Sequence, residues 1–124
     1  MEKVFLTLGA GSAFVGVAAG AFGAHGLKGR IPQAALETFE VGVRYQMYHA
    51  FGLIAVAWVL TRWPGPHGVV AGWLFLAGIV IFSGSLYGLS LSGTKWLGAI
   101  TPLGGLSFLA GWIYLIRAVW QPGE

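Results

Sequence analysis

Four long apolar stretches, joined by links too short to hold a soluble domain, decide most of what this chain can fold into. They run near 4–23, 38–60, 69–91 and 97–120, close to the ~20 residues that a helix needs to cross hydrocarbon. Backbone groups inside lipid must be satisfied internally, so only helices or closed barrels span a membrane. The pattern predicts an all-α integral membrane four-helix bundle, a single transmembrane domain over 1–124 with its termini on the same side. The second stretch gains an interfacial start near 32, because Pro32 suits a first helical turn and no breaker follows through Glu37. A helix from Pro32 to Leu60 spans roughly 43 Å at 1.5 Å per residue; a break near Gly42 is the alternative. The first stretch imitates a signal peptide, with Lys3 ahead of it, but exceeds the roughly 7–15 residues of a signal core. It is read as a retained helix.

Composition supports a membrane protein. Charged residues are 9% of the chain, against roughly 25% in soluble domains. No cysteine is present, which excludes disulfides, thiolate metal sites and cysteine nucleophiles. The net charge of +3 is dispersed, with neither a phosphate-binding track nor a polybasic lipid cluster. Nucleic acid is therefore not an expected partner; membrane lipids are.

The 21 glycines have no collagen period and serve close helix approach. Gly9, Gly16, Gly20 and Gly23 share one face of the first stretch, Gly16 and Gly20 forming a GxxxG. Gly84 and Gly88 offer a second close-packing surface. These faces predict helix packing and a homo-oligomer.

Polar residues are sparse enough to be informative. By position, His25, Gln46, His49, Ser83, Ser85, Tyr87 and Thr101 all fall toward the side of the first and third loops, leaving the other half apolar. Ionisable groups within spans are costly and often functional. A polar pocket is therefore expected, ringed by these residues with Tyr45 as a further hydrogen-bonding neighbour. It is either a structural lock or a site for an unknown ligand. Glu37, Glu40 and Arg44 share a face, with Glu40 and Arg44 spaced as a favourable i,i+4 pair. They read as a solvated helix start or as a charge network capping the polar half. His67 falls in a turn and is read as solvated.

Catalytic signatures are missing. There is no HxxxH metal spacing, no aspartate and no GxSxG elbow. Gly9-Ala10-Gly11-Ser12-Ala13-Phe14 opens like a dinucleotide fingerprint, but Phe14 replaces the last glycine and no strand precedes it. No metal or cofactor is expected. Three classes remain: a non-catalytic membrane scaffold or accessory subunit, which is favoured; a binder or conduit for a small amphiphile, lipid, proton or ion; and an enzyme, which the missing groups disfavour.

Several blocks carry a family resemblance: Ala21-Phe22-Gly23-Ala24-His25-Gly26, Tyr45-Gln46 followed by His49, Phe82-Ser83-Gly84-Ser85-Leu86-Tyr87, Thr101-Pro102-Leu103-Gly104-Gly105 and Gly111-Trp112. In this order the chain resembles the YgdD-like family of small bacterial inner-membrane proteins (domain of unknown function 423, with vertebrate transmembrane protein 256 relatives). The resemblance implies a four-span protein of the bacterial plasma membrane and brings no activity with it. It also implies cytoplasmic termini, where the positive charges themselves tie: Lys3, Arg62 and Arg117 against Lys28, Arg30 and Lys95. Members often end in a basic tail, whereas this chain ends Gln121-Pro122-Gly123-Glu124.

Overall fold

The computed structural model describes residues 1–121, so all of the tail after Gln121 lies outside the described residues. Four helices account for nearly all of them: α1 (Glu2–Leu27), α2 (Gln33–Arg62), α3 (Pro66–Ser92) and α4 (Leu97–Trp120). At 1.5 Å per residue each is longer than the ~30 Å hydrocarbon layer. Glycine makes two of the stops: Gly29 (φ 82°), just beyond α1, and Gly93 (φ 71°), just beyond α3, are left-handed, a conformation that side chains resist. Pro66 opens α3 in the first turn, where its missing N–H loses nothing. His67 thus belongs to a helix rather than a turn. Its ring lies against Tyr114, and its Nδ1 is buried without a partner among the described residues.

Helix α2 runs unbroken through Gly42. Three of the helices are long and apolar enough to cross a membrane by length and composition, and α2 is the exception. The packing explains why. Helix α2 buries twelve residues, more than either outer helix, so few of its positions face lipid and it can carry Gln46 and His49. Helices α2 and α3 form the centre, α1 packs on α2, and α4 packs on α3. Helices α1 and α4 sit at the outside and leave large apolar side chains exposed, among them Phe14, Val17, Leu103, Leu106 and Ile116.

The ends are tied as an even number of spans requires. Gln121 Nε2 donates to Pro64 O at 3.3 Å, bringing the C-terminal end of α4 beside the α2–α3 turn. At the same end Phe5 of α1 is fully buried against Gly72 and Trp73 of α3. It joins Leu53, Val56, Leu60 and Phe75 in the main apolar core.

Glycine sets how close the helices come. A Cβ on Gly9 would fall 2.8 Å from Ala50 O, and one on Gly16 would fall 2.5 Å from Met47 Sδ. Gly20 is looser, at 3.4 Å from Val43 Cγ1. Helices α3 and α4 meet backbone against backbone at Gly104, where an added Cβ would fall 2.8 Å from Phe82 Cα and nearer still to its amide nitrogen. A Cβ on Gly88 would fall 2.9 Å from Leu97 Cδ1, whereas Gly84 is exposed with open space around it.

Candidate functional site

The polar side chains of the inner helices form hydrogen-bonded ties from helix to helix. Gln46 is the hub, buried to 4% exposure. Its Nε2 donates to Ser12 O of α1 at 2.9 Å, and its Oε1 accepts from the Tyr87 hydroxyl of α3 at 2.6 Å. A carbonyl oxygen only accepts, so the amide orientation follows from Ser12. Three helices are thus joined through one side chain. Tyr87 reaches this position across Gly42, where a Cβ would stand 2.9 Å from its ring.

Ser83 donates to Gly42 O of α2 at 2.6 Å. It closes a π-helical turn, Ile79–Ser83, in the middle of α3. The wider turn inserts a residue and re-aims the face that follows, a usual role of such bulges. Toward α4, Ser85 and Thr101 pair their hydroxyls at 2.6 Å, and in the other half Ser107 donates to Leu74 O at 2.7 Å.

His49 completes the set between α2 and α4. Trp112 Nε1 donates to His49 Nε2 at 3.0 Å, and His49 Nδ1 lies 2.8 Å from Tyr45 O. Indole nitrogen can only donate, so Nε2 is the acceptor and Nδ1 carries the proton that goes to Tyr45 O. The ring is a neutral imidazole with both nitrogens engaged, stacked on Phe108 with centroids 3.5 Å apart.

Beside His49 a cleft of about 550 Å³ opens sideways between α2 and α4, over α3. Its walls are Tyr45, Tyr48, Phe82, Phe108, Leu109 and Trp112, with Gly105 at its edge. It exists because α2 and α4 flank α3 while barely meeting each other.

Several sequence expectations are redrawn by these positions. His25 stands apart: it is exposed in the π-helical end of α1, Gly23–Leu27, with no hydrogen bond to the polar set among the described residues. The α1 face that meets α2 carries Gly9, Gly16, Gly20 and Gly23, whereas His25 is exposed. Glu37, Glu40 and Arg44 are all exposed and make no ion pair with one another among the described residues, so no charge network caps the polar half. An exposed i,i+4 pair gains too little to hold two long side chains in place. Nor do Gln46 and His49 fall toward one side of the bundle. Helix α2 starts at Gln33, which puts both near its midpoint. Gln46, His49, Ser83, Ser85, Tyr87 and Thr101 are all in cross-helix ties or next to them, but they form no single ring. Sequence reasoning missed the backbone acceptors Ser12 O and Gly42 O and the donors Trp112 and Ser107. Only Trp112 left a trace, on one α4 stripe with Thr101 and Phe108.

Apolar outer helices around a hydrogen-bonded centre define a multi-pass integral membrane protein of the all-α class. The chain belongs to the family described as "Protein of unknown function (DUF423)", whose model matches residues 19–105. It is similar to the UPF0382 membrane protein YwdK of Bacillus subtilis, 53% identical over 117 residues, 94% of this chain and 95% of the relative. It is also similar to the UPF0382 membrane protein SH2409 of Staphylococcus haemolyticus, 48% identical over 119 residues, 96% of this chain and 97% of the relative. No solved structure matches it. These relatives and the membrane-long helices assign the chain to the bacterial plasma membrane.

Proposed function

We propose that this protein is a non-catalytic membrane scaffold or accessory subunit, its inner helices locked by polar ties and its outer helices offered to other proteins in the bilayer. One observation carries the reading. The buried polar residues Gln46, His49, Ser83, Ser85 and Ser90 all spend their hydrogen bonds inside the bundle. A conduit for protons or ions needs polar groups with valence to spare along a path. Here the central imidazole has none, since both its nitrogens are used.

His49→Gln tests the lock. It removes the stack on Phe108 and the Nδ1–H bond to Tyr45 O, and displaces the acceptor for Trp112; it is expected to lower unfolding stability by about 1–3 kcal/mol. The measurement is reversible unfolding in bicelles. Unchanged stability would count against the lock and favour the runner-up, a binder or conduit for a small amphiphile, lipid, proton or ion.

The scaffold reading extends to self-association. Gly84 lies exposed on α3 with open space where a Cβ would go, so Gly84→Leu leaves the fold of one chain intact. It is expected to reduce a crosslinked dimer in membranes and the dimer peak in native mass spectrometry. A wild type that stays monomeric in both assays refutes association; a Gly84→Leu variant that dimerises normally removes this face from it.

A further inference from the structure

The cleft between α2 and α4 has chemistry that the ties do not use. His49 and Phe108 stand near the midpoints of their helices, so the cleft opens between the helix ends, toward the apolar layer of the bilayer. Its walls are nearly all aromatic. His49 stacks on Phe108 at 6° between planes, and Tyr45 lies against Phe82 with centroids 4.8 Å apart. The imidazole has no free nitrogen. The polar groups left over are the hydroxyls of Tyr45 and Tyr48, neither of which has a hydrogen-bond partner among the described residues. The volume of about 550 Å³ falls within the range of small-molecule sites, roughly 300–1,000 Å³.

We propose that this cleft binds a planar, carbonyl-bearing lipophile of the quinone class. Three features select that chemistry. A flat ring extends the aromatic stacks in the offset or edge-on geometries that such pairs prefer. Carbonyl oxygens accept from the tyrosine hydroxyls, which are otherwise unpaired in hydrocarbon that supplies no acceptor. An apolar tail leaves sideways through the open mouth into the bilayer, along α2 and α4. An acyl chain fills the volume but leaves the hydroxyls unpaired, and a charged ligand meets no counter-charge in the cleft walls. The proposal concerns binding alone and stands independently of the scaffold reading.

The test is photolabelling of the full chain in phosphatidylcholine nanodiscs with an azidoquinone bearing a decyl tail. Label is expected on the α2 segment around Tyr45–His49 and the α4 segment around Gly105–Trp112, displaced by excess decylubiquinone and not by decane. Gly105→Leu fills the cleft, since a Cβ there meets no atom closer than 4.0 Å; it is expected to abolish the label. Leu109→Trp, at an exposed rim position, is expected to do the same without touching the helix contacts. Tyr45→Phe and Tyr48→Phe are each expected to weaken displacement by about fivefold, the loss of one hydrogen bond. Label spread over the lipid-facing helices and unchanged in both filled variants overturns the site. Decane displacing as well as decylubiquinone, or no effect of the two phenylalanine changes together, overturns the quinone class.

Discussion

Gln46→Leu is expected to destabilise the bundle by about 2–4 kcal/mol, the largest loss from any single polar side chain here. The leucine fits the volume, so the loss is that of the hydrogen bonds. Two cross-helix bonds disappear, to Ser12 O and from Tyr87. Cross-helix bonds in membranes contribute about 0.6 kcal/mol on average and up to about 1.7. The remainder comes from the tyrosine hydroxyl and the excess acceptor left in an apolar interior, at about 1–3 kcal/mol for a buried unsatisfied group. Tyr87→Phe removes one bond and leaves a glutamine oxygen unpaired, so its expected loss is smaller, about 1–2 kcal/mol. Unfolding by denaturing detergent, followed by far-UV circular dichroism, reads both.

Gly104→Ala is expected to be as damaging, for a steric reason. Alanine ordinarily favours a helix over glycine by about 1 kcal/mol. At Gly104 the new methyl meets the backbone of Phe82, which no rotamer change relieves, so α3 and α4 must separate. Overpacking of this kind costs about 1–3 kcal/mol, occasionally more, and separation also strains the Ser107–Leu74 and Ser85–Thr101 ties nearby. Gly9→Ala should behave similarly, because it meets Ala50 O at 2.8 Å. Gly20→Ala is the control: at 3.4 Å from a valine methyl its expected change is under about 1 kcal/mol. The thermal midpoints of the four proteins should rank accordingly.

These two predictions show where the sequence was informative. Helix number and polarity follow from local chemistry, chiefly apolar length, while the turn before α3 proves shorter than its proline and glycine content suggests, with His67 already helical. The glycine face of α1 was readable too, because four glycines at helical spacing mark one side. Gly104 was not distinguishable from Gly105 next to it. One meets backbone and the other borders a cleft, and only the rotation of α4 against α3 decides between them. The π-helical turn Ile79–Ser83 adds to that rotation, and Ile-Val-Ile-Phe-Ser does not announce a wider turn.

The polar residues divide in the same way. Their types were legible, since Gln46, His49 and Tyr87 stand out in apolar surroundings. Their partners were not. Half of the ties end on backbone carbonyls, and a carbonyl leaves no mark in a sequence. Depth was not legible either: nearness to a loop puts Gln46 and His49 on one side, whereas α2 begins at Gln33 and holds both near its midpoint. His25 was grouped with them by its position near a helix end, and a helix end says little about which way a side chain turns. Hydropathy likewise leaves α2 out of the helices apolar enough to span, although it lies at the centre with α3, because a helix shielded by its neighbours need not be apolar.

If the polar cluster is a saturated lock between helices, Gln46 and Tyr87 are energetically coupled through their shared hydrogen bond. In a double-mutant cycle of Gln46→Leu and Tyr87→Phe, a coupling of about 1 kcal/mol is expected, with the double variant less destabilised than the sum of the singles. Additivity within about 0.3 kcal/mol, with Gln46→Leu alone as stable as the wild type, would contradict it.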